Sequence, residues 1–180
     1  VYPLSNIFTI IQRASNSVGD LEWYWYQDST NGLTWHHRQY GTNDRFAYAN
    51  IVLKQKQWHH IVQQKEDNSA WVFYVNGVKC NTTYGAGGSP NAYGDVNLVN
   101  GNLTKIGAST TGPAGAFYMS DFMFTRNIRY SGNNITLPTS PTTANSYTSL
   151  LLNYNNAGIV DTTSRNVLET VGDAKIVTST

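Results

Sequence analysis

Apolar and polar residues alternate over short stretches of this chain, as they do in half-buried β-strands. The segments Leu21 to Asp28, Leu33 to Tyr40 and Trp58 to Gln63 show this alternation, and clusters of Gly, Asn, Asp and Ser lie between such segments. No window has the periodicity of a helix, and only Asn166 to Val171 has room for a helical turn. We expect further strands at Ile7 to Ile11, Phe46 to Leu53, Ala70 to Val75, Val96 to Leu98, Leu103 to Gly107, Ala116 to Thr125, Ser149 to Tyr154 and Lys175 to Thr178.

The dipeptide Asn76-Gly77 lies between two apolar stretches, Trp71 to Val75 and Val78 to Cys80. Both residues tolerate the positive φ that a two-residue connection requires, so the sequence predicts a tight β-hairpin here. The segment from Thr82 to Gly94 is rich in Gly, Asn and Tyr and lacks alternation. We interpret it as either a functional loop or a flexible one.

Many short strands without intervening helices are typical of antiparallel sheets that pack face to face or close on themselves. The 180 residues suffice for one domain but not for two independent cores. Cys80 is the only cysteine, so no intrachain disulfide can form and stability must come from packing. We therefore predict one all-β domain over residues 1–180, a two-sheet antiparallel jelly-roll sandwich with its tryptophans buried between the sheets.

The net charge of the chain argues against some classes of binding partner. Lysine and arginine number 12 and aspartate and glutamate number 11, which gives a formal net charge of +1. Without a block of like charge, neither nucleic acid nor an anionic membrane is an expected partner. No apolar stretch approaches the roughly 20 residues that span a bilayer. Because the chain begins at Val1 rather than Met, we expect a processed product or part of a longer chain.

Carboxylates offer one candidate for catalysis. Two carboxyl groups about 5 to 9 Å apart could cleave a glycosidic bond, and residues at positions i and i+2 of one strand can reach that separation. Asp20 and Glu22 form such a pair, whereas the other glutamates, Glu66 and Glu169, lie in a turn and near the polar C-terminal segment. We favour the alternative that Asp20 and Glu22 are solvated outer-face residues. No catalytic residue is therefore assigned, and no enzymatic activity is expected.

Metal sites have weak support in the sequence. Histidines occur as two doublets, His36-His37 and His59-His60. Adjacent strand residues point to opposite faces, so neither doublet can chelate one metal ion through both rings. A calcium site built from Asp95 with Asn97, or from carbonyls of the 82–94 loop, stays open as an alternative to having no cofactor at all.

The arrangement of aromatic residues is the most informative feature for binding. In the segment Leu21 to Tyr26, one strand face carries Leu21, Trp23 and Trp25, and the other carries Glu22, Tyr24 and Tyr26. The first face is expected in the core. The second could be a glycan or partner platform, because tyrosines combine apolar area with a polar rim. The full candidate set is Tyr24, Tyr26, Trp35, Tyr40, Tyr84 and Tyr93.

An alternative for this face stays open. Both faces of the strand could be covered, one by the partner sheet and the other by a missing strand or another subunit. In that case the tyrosines would be packing residues with no ligand of their own.

Four motifs occur in an order that resembles the laminin G-like branch of the concanavalin A-like lectin/glucanase superfamily. They are Trp58 to Val62, Trp71 to Val78, Leu103 to Gly107 and Phe117 to Phe122. The resemblance implies a jelly roll of two antiparallel sheets, with Trp58 and the Asn76-Gly77 hairpin as structural marks. It also implies binding on loops or on a concave sheet face. Glucanase relatives carry a Glu-x-Asp-x-x-Glu strand, and its absence here argues against hydrolysis.

The C-terminal part is similar to laminin G-like domains in virion proteins of tailed bacteriophages, such as head decorations, fibres and other appendages. Bacterial surface and secreted proteins share much of this pattern. Members of the family normally begin with another strand or two before the segment that matches Ile7 to Arg13, so we expect those strands to be missing from this chain. The similar segments are Asp121 to Tyr130, Pro138 to Pro141, Leu150 to Tyr154, Asp161 to Thr163 and Asn166 to Glu169.

These observations lead to one functional expectation and two alternatives. The resemblance implies a non-enzymatic structural protein of the virion, which assembles with capsid or appendage proteins and with copies of itself, and which contacts cell-surface glycans in addition. The first alternative is a secreted or cell-surface lectin-like domain that holds a sugar on Tyr24, Tyr26 and loop residues. The second is a glycoside hydrolase that uses Asp20 and Glu22.

Overall fold

A computed structural model describes residues 1–14, 21–38, 44–66, 70–85, 103–109, 114–154, 159–170 and 174–176. In this part of the chain every regular element is a β-strand, and the paired strands all run antiparallel. The prediction of an all-β antiparallel protein is confirmed. No helix in the described residues is long and apolar enough to cross a bilayer.

The strands are short, as the turn clusters in the sequence predict. Four expected segments differ from the structure. Ile176 lies outside any strand, and Phe46 to Leu53 remains a strand only as far as Tyr48. Trp58 to Gln63 becomes a strand only at Ile61, and Ala116 to Thr125 divides into two short strands. Val96 to Leu98 lies outside the described residues. The strands are β1 Tyr2–Pro3, β2 Phe8–Ala14, β3 Leu21–Asp28, β4 Gly32–Arg38, β5 Asp44–Tyr48, β6 Ile61–Lys65, β7 Trp71–Val75, β8 Val78–Lys79, β9 Thr83–Gly85, β10 Leu103–Ile106, β11 Phe117–Tyr118, β12 Phe122–Thr125 and β13 Thr148–Leu152.

The chain forms two compact units. The first comprises Val1–Tyr118 with Gly132–Ile135, and the second comprises Met119–Ser131 with Thr136–Thr180. The first unit contains a six-stranded sheet in the order β10-β2-β3-β4-β5-β9, a three-stranded sheet in the order β6-β7-β8, and the β1–β11 ladder. The second contains the β12–β13 ladder.

The core of the first unit lies between its two larger sheets. Trp25 is directly opposite Trp35 on the neighbouring strand, and Trp23 stacks on Trp35 with ring centroids 5.3 Å apart. Across the gap between sheets, the Trp35 ring lies 4.3 Å from the ring of Trp71 on β7. We call the surface that carries Trp23, Trp25 and Trp35 the tryptophan face of the six-stranded sheet. Its contact with β7 is consistent with a β-sandwich, while the jelly-roll connectivity stays a prediction.

Two tryptophans depart from the expectation of complete burial, since Trp71 is half-buried and Trp58 is exposed. Trp23, Trp25 and Trp35 are all less than 10% exposed, but Trp58 is 50% exposed. The physical reason is its position, since Trp58 lies in the irregular segment before β6 and not on a strand that faces the other sheet. The expectation that the tryptophans are buried between sheets is therefore wrong for Trp58.

The hairpin prediction is confirmed at Asn76-Gly77. Both residues have positive φ, 51° and 87°, and Val75 pairs with Val78 on either side of the turn. The Asn76 side chain also connects the turn to the start of β6. Its Oδ1 accepts a hydrogen bond from the His60 N–H at 3.0 Å, and its Nδ2 lies 3.2 Å from Nδ1 of His59.

The second unit is organised around a buried carboxylate, Asp161, which is 4% exposed. It accepts backbone hydrogen bonds from Leu151 at 3.1 Å, Thr163 at 3.0 Å and Asn166 at 3.1 Å. Burial alone would raise the pKa of Asp161, but hydrogen bonds from Asn166, Thr163 and Leu151 outweigh it and hold the pKa well below its usual range. The ionised side chain thereby fixes the turn at residues 161–164 and connects it to β13.

Candidate functional site

The second face of the six-stranded sheet carries a continuous series of aromatic rings. Tyr24 stacks on Tyr26 with centroids 4.3 Å apart, and its ring meets that of His36 edge-on at 4.8 Å. His36 stacks on Phe46 at 4.1 Å, and Phe46 stacks on Tyr48 at 5.8 Å. We call these five side chains, on β3, β4 and β5, the tyrosine face.

The sequence builds this face through strand periodicity and register. Tyr24 and Tyr26 are two positions apart and so point to the same side of β3. Register then places His36 directly opposite Tyr24, and Phe46 directly opposite His36. Cross-strand aromatic neighbours at this spacing attract one another. The rings therefore stabilise the pairing of the strands and also form the aromatic surface of the sheet.

A buried pair fixes the more accessible rings. Tyr26 is 7% exposed and His36 is 4% exposed, whereas Tyr24, Phe46 and Tyr48 are half-buried. Each half-buried ring stacks on a neighbour in this series. The face therefore offers aromatic area that is already ordered, which lowers the entropic cost of binding a ligand.

Phenol hydroxyls and one carboxylate supply the polar chemistry. Burial raises the pKa of the Tyr26 phenol, and its hydrogen bond to Tyr24 and the nearby groups of Asp28 and Tyr48 raise it further. Burial, and then Asp28, also raise the pKa of Tyr48. These phenols stay protonated at neutral pH; the Tyr26 hydroxyl bonds to Tyr24, and the half-buried Tyr48 hydroxyl can donate a hydrogen bond to a ligand. Stacked rings with hydroxyl donors at their ends match the apolar and polar sides of a sugar.

Asp28 is positioned by the turn that follows β3. Its Oδ1 accepts hydrogen bonds from the backbone N–H groups of Thr30, at 2.7 Å, and Asn31. Its Oδ2 lies 3.4 Å from the hydroxyl of Thr34. The next residue of the turn, Gly32, has a φ of +74°, and a Cβ there would lie 2.1 Å from the backbone oxygen of Ile51. The carboxylate is thus an element of the turn, held at the edge of the tyrosine face.

Strand β2 contributes buried polar groups beside the tyrosines. Thr9 is the register partner of Tyr26, and Gln12 is the partner of Tyr24. An odd and an even position reach the same face because the pairing shifts between Thr9 and Ile11, as a β-bulge allows. Thr9 is 2% exposed and Gln12 is 1% exposed. The bulge therefore extends the tyrosine face with polar side chains.

Strand β9 leaves space for one of the rings. A Cβ built at Gly85 would lie 2.8 Å from Cε2 and from the hydroxyl oxygen of Tyr48. Gly85 is also the register partner of Phe46, so it lies on the tyrosine face. The missing side chain lets the Tyr48 ring lie over the strand.

The candidate residues from the sequence separate into two groups in the structure. Tyr24 and Tyr26 lie together on the tyrosine face. Trp35 does not extend that face, because its partner is Trp25 and its ring stacks on Trp23 in the core. Tyr84 pairs with Ala47, which pairs with Trp35, so Tyr84 also lies on the tryptophan side. Those outside the described residues are Tyr40, Tyr93, Asp95, Asn97 and Asp20, together with the side chain of Glu22.

Three members of the face were not singled out in the sequence: His36 as a ring partner, Phe46 and Tyr48. A signal for two of them exists, because Phe46 and Tyr48 are separated by one small residue, Ala47, in a predicted strand. Their place beside Tyr24 depends on strand pairing, which alternation alone does not specify.

The His36-His37 doublet behaves as strand geometry predicts, whereas His59-His60 lies outside the strands. His36 lies opposite Tyr24 on one face, while His37 lies opposite Trp23 on the other. Within the described residues, no group of three or more His, Cys, Asp or Glu side chains could hold a metal ion. His59 is buried, with Nε2 at 3.0 Å from the Lys54 carbonyl oxygen and Nδ1 facing Asn76. Its ring connects two segments of the first unit.

The resemblance to laminin G-like domains depends on the four sequence motifs described above. Two of them coincide with observed elements, the β7–β8 hairpin at Asn76-Gly77 and strand β10 at Leu103–Ile106. The laminin G-like resemblance stays a prediction on this basis. No family model, curated protein or solved structure matches the chain.

Proposed function

We propose that this chain is a non-enzymatic structural domain of a tailed-bacteriophage virion, a head decoration or part of a fibre or other appendage, and that its tyrosine face contacts glycan. The observation that carries the glycan contact is the uninterrupted ring series from Tyr24 to Tyr48 across three strands. The virion role is supported by the resemblance of the segments Asp121 to Tyr130 and Leu150 to Tyr154.

The contacts of three described carboxylates support a non-enzymatic role. A general acid or base needs an oxygen within hydrogen-bond reach of the substrate. Asp28 and Asp161 instead accept several hydrogen bonds from their own turns. Glu66 lies 4.0 Å from the Lys79 ammonium and 3.4 Å from the Gln64 amide. These three carboxylates therefore make contacts that stabilise the fold.

A virion role requires partners as well as a glycan. The proposed partners are capsid or appendage proteins and further copies of this chain, and the proposed location is the virion. Association through an interface of standard size needs about 800 Å² from each partner. The proposal requires neither an enzyme cofactor nor calcium, and the binding experiments below are run with and without calcium ions.

Mass spectrometry of purified virions tests the first part of the proposal. The particles come from a phage whose genome encodes this sequence, and the chain should be recovered in a fixed ratio to the major capsid protein. Absence of the chain from intact particles would overturn the virion role. Retained glycan binding together with absence from particles would favour the secreted or cell-surface lectin alternative.

A glycan array tests the second part. The wild-type chain is compared with a double variant, Tyr24→Ala with Phe46→Ala, which removes two half-buried rings of the tyrosine face. Tyr147→Ala is the matched control, because Tyr147 is 54% exposed and belongs to the second unit. We expect at least one glycan that the wild type and the control bind and the double variant does not. Equal binding by all three chains, or no binding in any condition, would contradict the glycan contact.

A further inference from the structure

Three partly exposed aromatic rings form a cluster, two on the β1–β11 ladder and one, Trp58, in the segment before β6. Tyr2 and Tyr118 are direct cross-strand partners, and their ring centroids are 5.8 Å apart. The ring of Trp58 lies 5.6 Å from that of Tyr2. We call these three side chains the Trp58 platform. None of them belongs to the tyrosine face, so the platform is a separate feature of the first unit.

Strand periodicity explains why the platform faces outward. Val1 and Pro3 are buried, whereas Tyr2 between them is half-buried and Leu4 is exposed. Tyr2 and its partner Tyr118 therefore lie on the outer side of the ladder. Trp58 is 50% exposed beside them. About half of the Trp58 residue is thus accessible, and a ligand that covers its ring would gain the free energy of burying that apolar area.

The backbone on both sides of Trp58 is tied to the N-terminal segment. The Lys56 N–H donates to the Pro3 carbonyl oxygen at 2.9 Å, and the His59 N–H donates to the Val1 carbonyl oxygen at 2.7 Å. Farther along the same two segments, the Gln55 amide donates to Oδ1 of Asn6 at 2.9 Å. The indole is thus carried by an ordered backbone, and its ring packs on Tyr2.

The size of the platform argues for a small ligand and against a protein interface. An aromatic residue presents on the order of 200 Å², so half of Trp58 and smaller fractions of two tyrosines expose roughly 250 Å². A stable protein partner buries about 800 Å² on each side. The exposed side chains on the same two segments are mostly polar, namely Asn6, Gln55, Lys56 and Gln57, with Leu4 as an apolar neighbour. An apolar patch of this area is comparable to the face of one or two sugar rings.

We propose that the Trp58 platform is a second saccharide-binding site, which stacks the apolar face of a neutral hexopyranose on Trp58 and its flanking tyrosines. The amides of Asn6 and Gln55, on the same two segments, supply hydrogen-bond donors and acceptors for sugar hydroxyls. This inference goes beyond the tyrosine-face proposal because the two sites share no residue.

Ring orientation narrows the ligand to a soluble oligosaccharide. The Tyr2 ring is inclined by 54° to Trp58 and by 37° to Tyr118. Three rings inclined in this way cannot lie against one flat surface together. The platform therefore suits a chain whose successive sugar rings turn relative to one another, and it does not suit the flat face of a crystalline polysaccharide.

The test is a fluorescence and NMR titration with soluble neutral oligosaccharides of glucose, galactose, mannose and N-acetylglucosamine, with microcrystalline cellulose as a flat comparison. The proteins are the wild type, Trp58→Ala, the conservative Trp58→Phe and Tyr147→Ala as the control, because Tyr147 is 54% exposed and belongs to the second unit. Tyr24→Ala is measured as well, to detect any sugar bound at the tyrosine face. We expect saturable binding of at least one oligosaccharide by the wild type. We expect a loss of at least tenfold in Trp58→Ala, near wild-type binding in Trp58→Phe and Tyr147→Ala, and no binding of cellulose.

Folding of the variants is checked by circular dichroism and thermal unfolding, and Trp58→Ala should unfold close to the wild type because the ring is half exposed. Unchanged affinity in Trp58→Ala, or no binding of any soluble oligosaccharide, would overturn the proposal. Sedimentation tests the competing explanation that the platform is an interface between two copies of the chain. A wild-type dimer that becomes monomeric in Trp58→Ala would also overturn the saccharide proposal. Loss of binding in Tyr24→Ala alone would assign the sugar to the tyrosine face and exclude the platform.

Discussion

His36 and Phe46 are cross-strand partners whose rings stack with centroids 4.1 Å apart and an interplanar angle of 21°. This stack joins the tyrosines of β3 to Tyr48 at the end of β5. Without this contact the series would divide into a group of three rings, Tyr26, Tyr24 and His36, and a separate pair, Phe46 and Tyr48. The His36–Phe46 contact therefore determines whether the six-stranded sheet offers one extended binding face.

Removing the Phe46 ring should affect stability and binding together. Phe46→Ala takes away the contacts with His36 and Tyr48, and we expect a loss of about 2 kcal/mol in the free energy of unfolding. Replacing a fully buried phenylalanine by alanine costs about 3 to 5 kcal/mol of stability. The expected loss here is smaller because Phe46 is only half-buried. Chemical denaturation measures the stability. Phe124→Ala is the control, since Phe124 is 45% exposed, and its unfolding free energy should change less.

Two glycines give a matched pair of substitutions with different expected results. At Gly85 a new Cβ meets the ring end of Tyr48 at 2.8 Å, and this side chain can turn away. At Gly32 the Cβ meets the Ile51 backbone oxygen at 2.1 Å, and the φ of +74° disfavours alanine. We expect Gly85→Ala to change stability by about 1 kcal/mol or less and Gly32→Ala to lower it by about 2 kcal/mol or more.

Thermal unfolding and a near-UV circular dichroism spectrum distinguish the two cases. Gly85→Ala should alter the aromatic spectrum through Tyr48 with little change in melting temperature. Gly32→Ala should lower the melting temperature clearly. A larger stability loss in Gly85→Ala than in Gly32→Ala would contradict the described packing at both sites.

Local pattern was enough to predict part of this structure. Alternation from Leu21 to Asp28 predicts the two faces of β3, because side-chain direction in a strand depends only on sequence position. The Asn76-Gly77 hairpin follows from the positive φ of two adjacent residues. Both features depend on residues that are neighbours in sequence.

Features set by strand pairing could not be predicted in this way. Whether Trp35 lies beside Tyr24 or beside Trp23 depends on the register of β4 against β3, and a shift of one residue would exchange its faces. The bulge that brings Thr9 and Gln12 to one face has no signature in the sequence. Trp58 was expected in the core because tryptophan is usually buried, but its segment is held along β1 by backbone hydrogen bonds.

Acid should destabilise the first unit through His37. Burial, together with the nearby charges of His36, Arg45 and Lys65, lowers the pKa of His37 from 6.5 to about 4. Between pH 6.5 and pH 4 the unfolded chain binds a proton at this position that the folded chain does not, so lowering the pH favours unfolding. The stabilisation is therefore complete above pH 6.5 and declines as the pH falls toward 4.

Chemical denaturation between pH 7 and pH 4 measures this dependence in the wild type and in His37→Gln. The variant replaces the imidazole by a side chain that does not titrate, so its unfolding free energy should fall less steeply over the same range. Parallel pH profiles for the two proteins would show that His37 does not bind its proton differently in the folded and unfolded states.

Asp161→Asn should weaken the second unit. The aspartate accepts hydrogen bonds from the backbone of Leu151, Thr163 and Asn166, and an amide nitrogen in place of one oxygen would face donors with another donor. Leaving such buried groups unsatisfied costs about 3 kcal/mol. Hydrogen exchange of these backbone amides should accelerate in Asp161→Asn and not in Glu169→Gln, since Glu169 is exposed. Unchanged exchange at Leu151 and Thr163 would mean that the charge of Asp161 does not hold this turn.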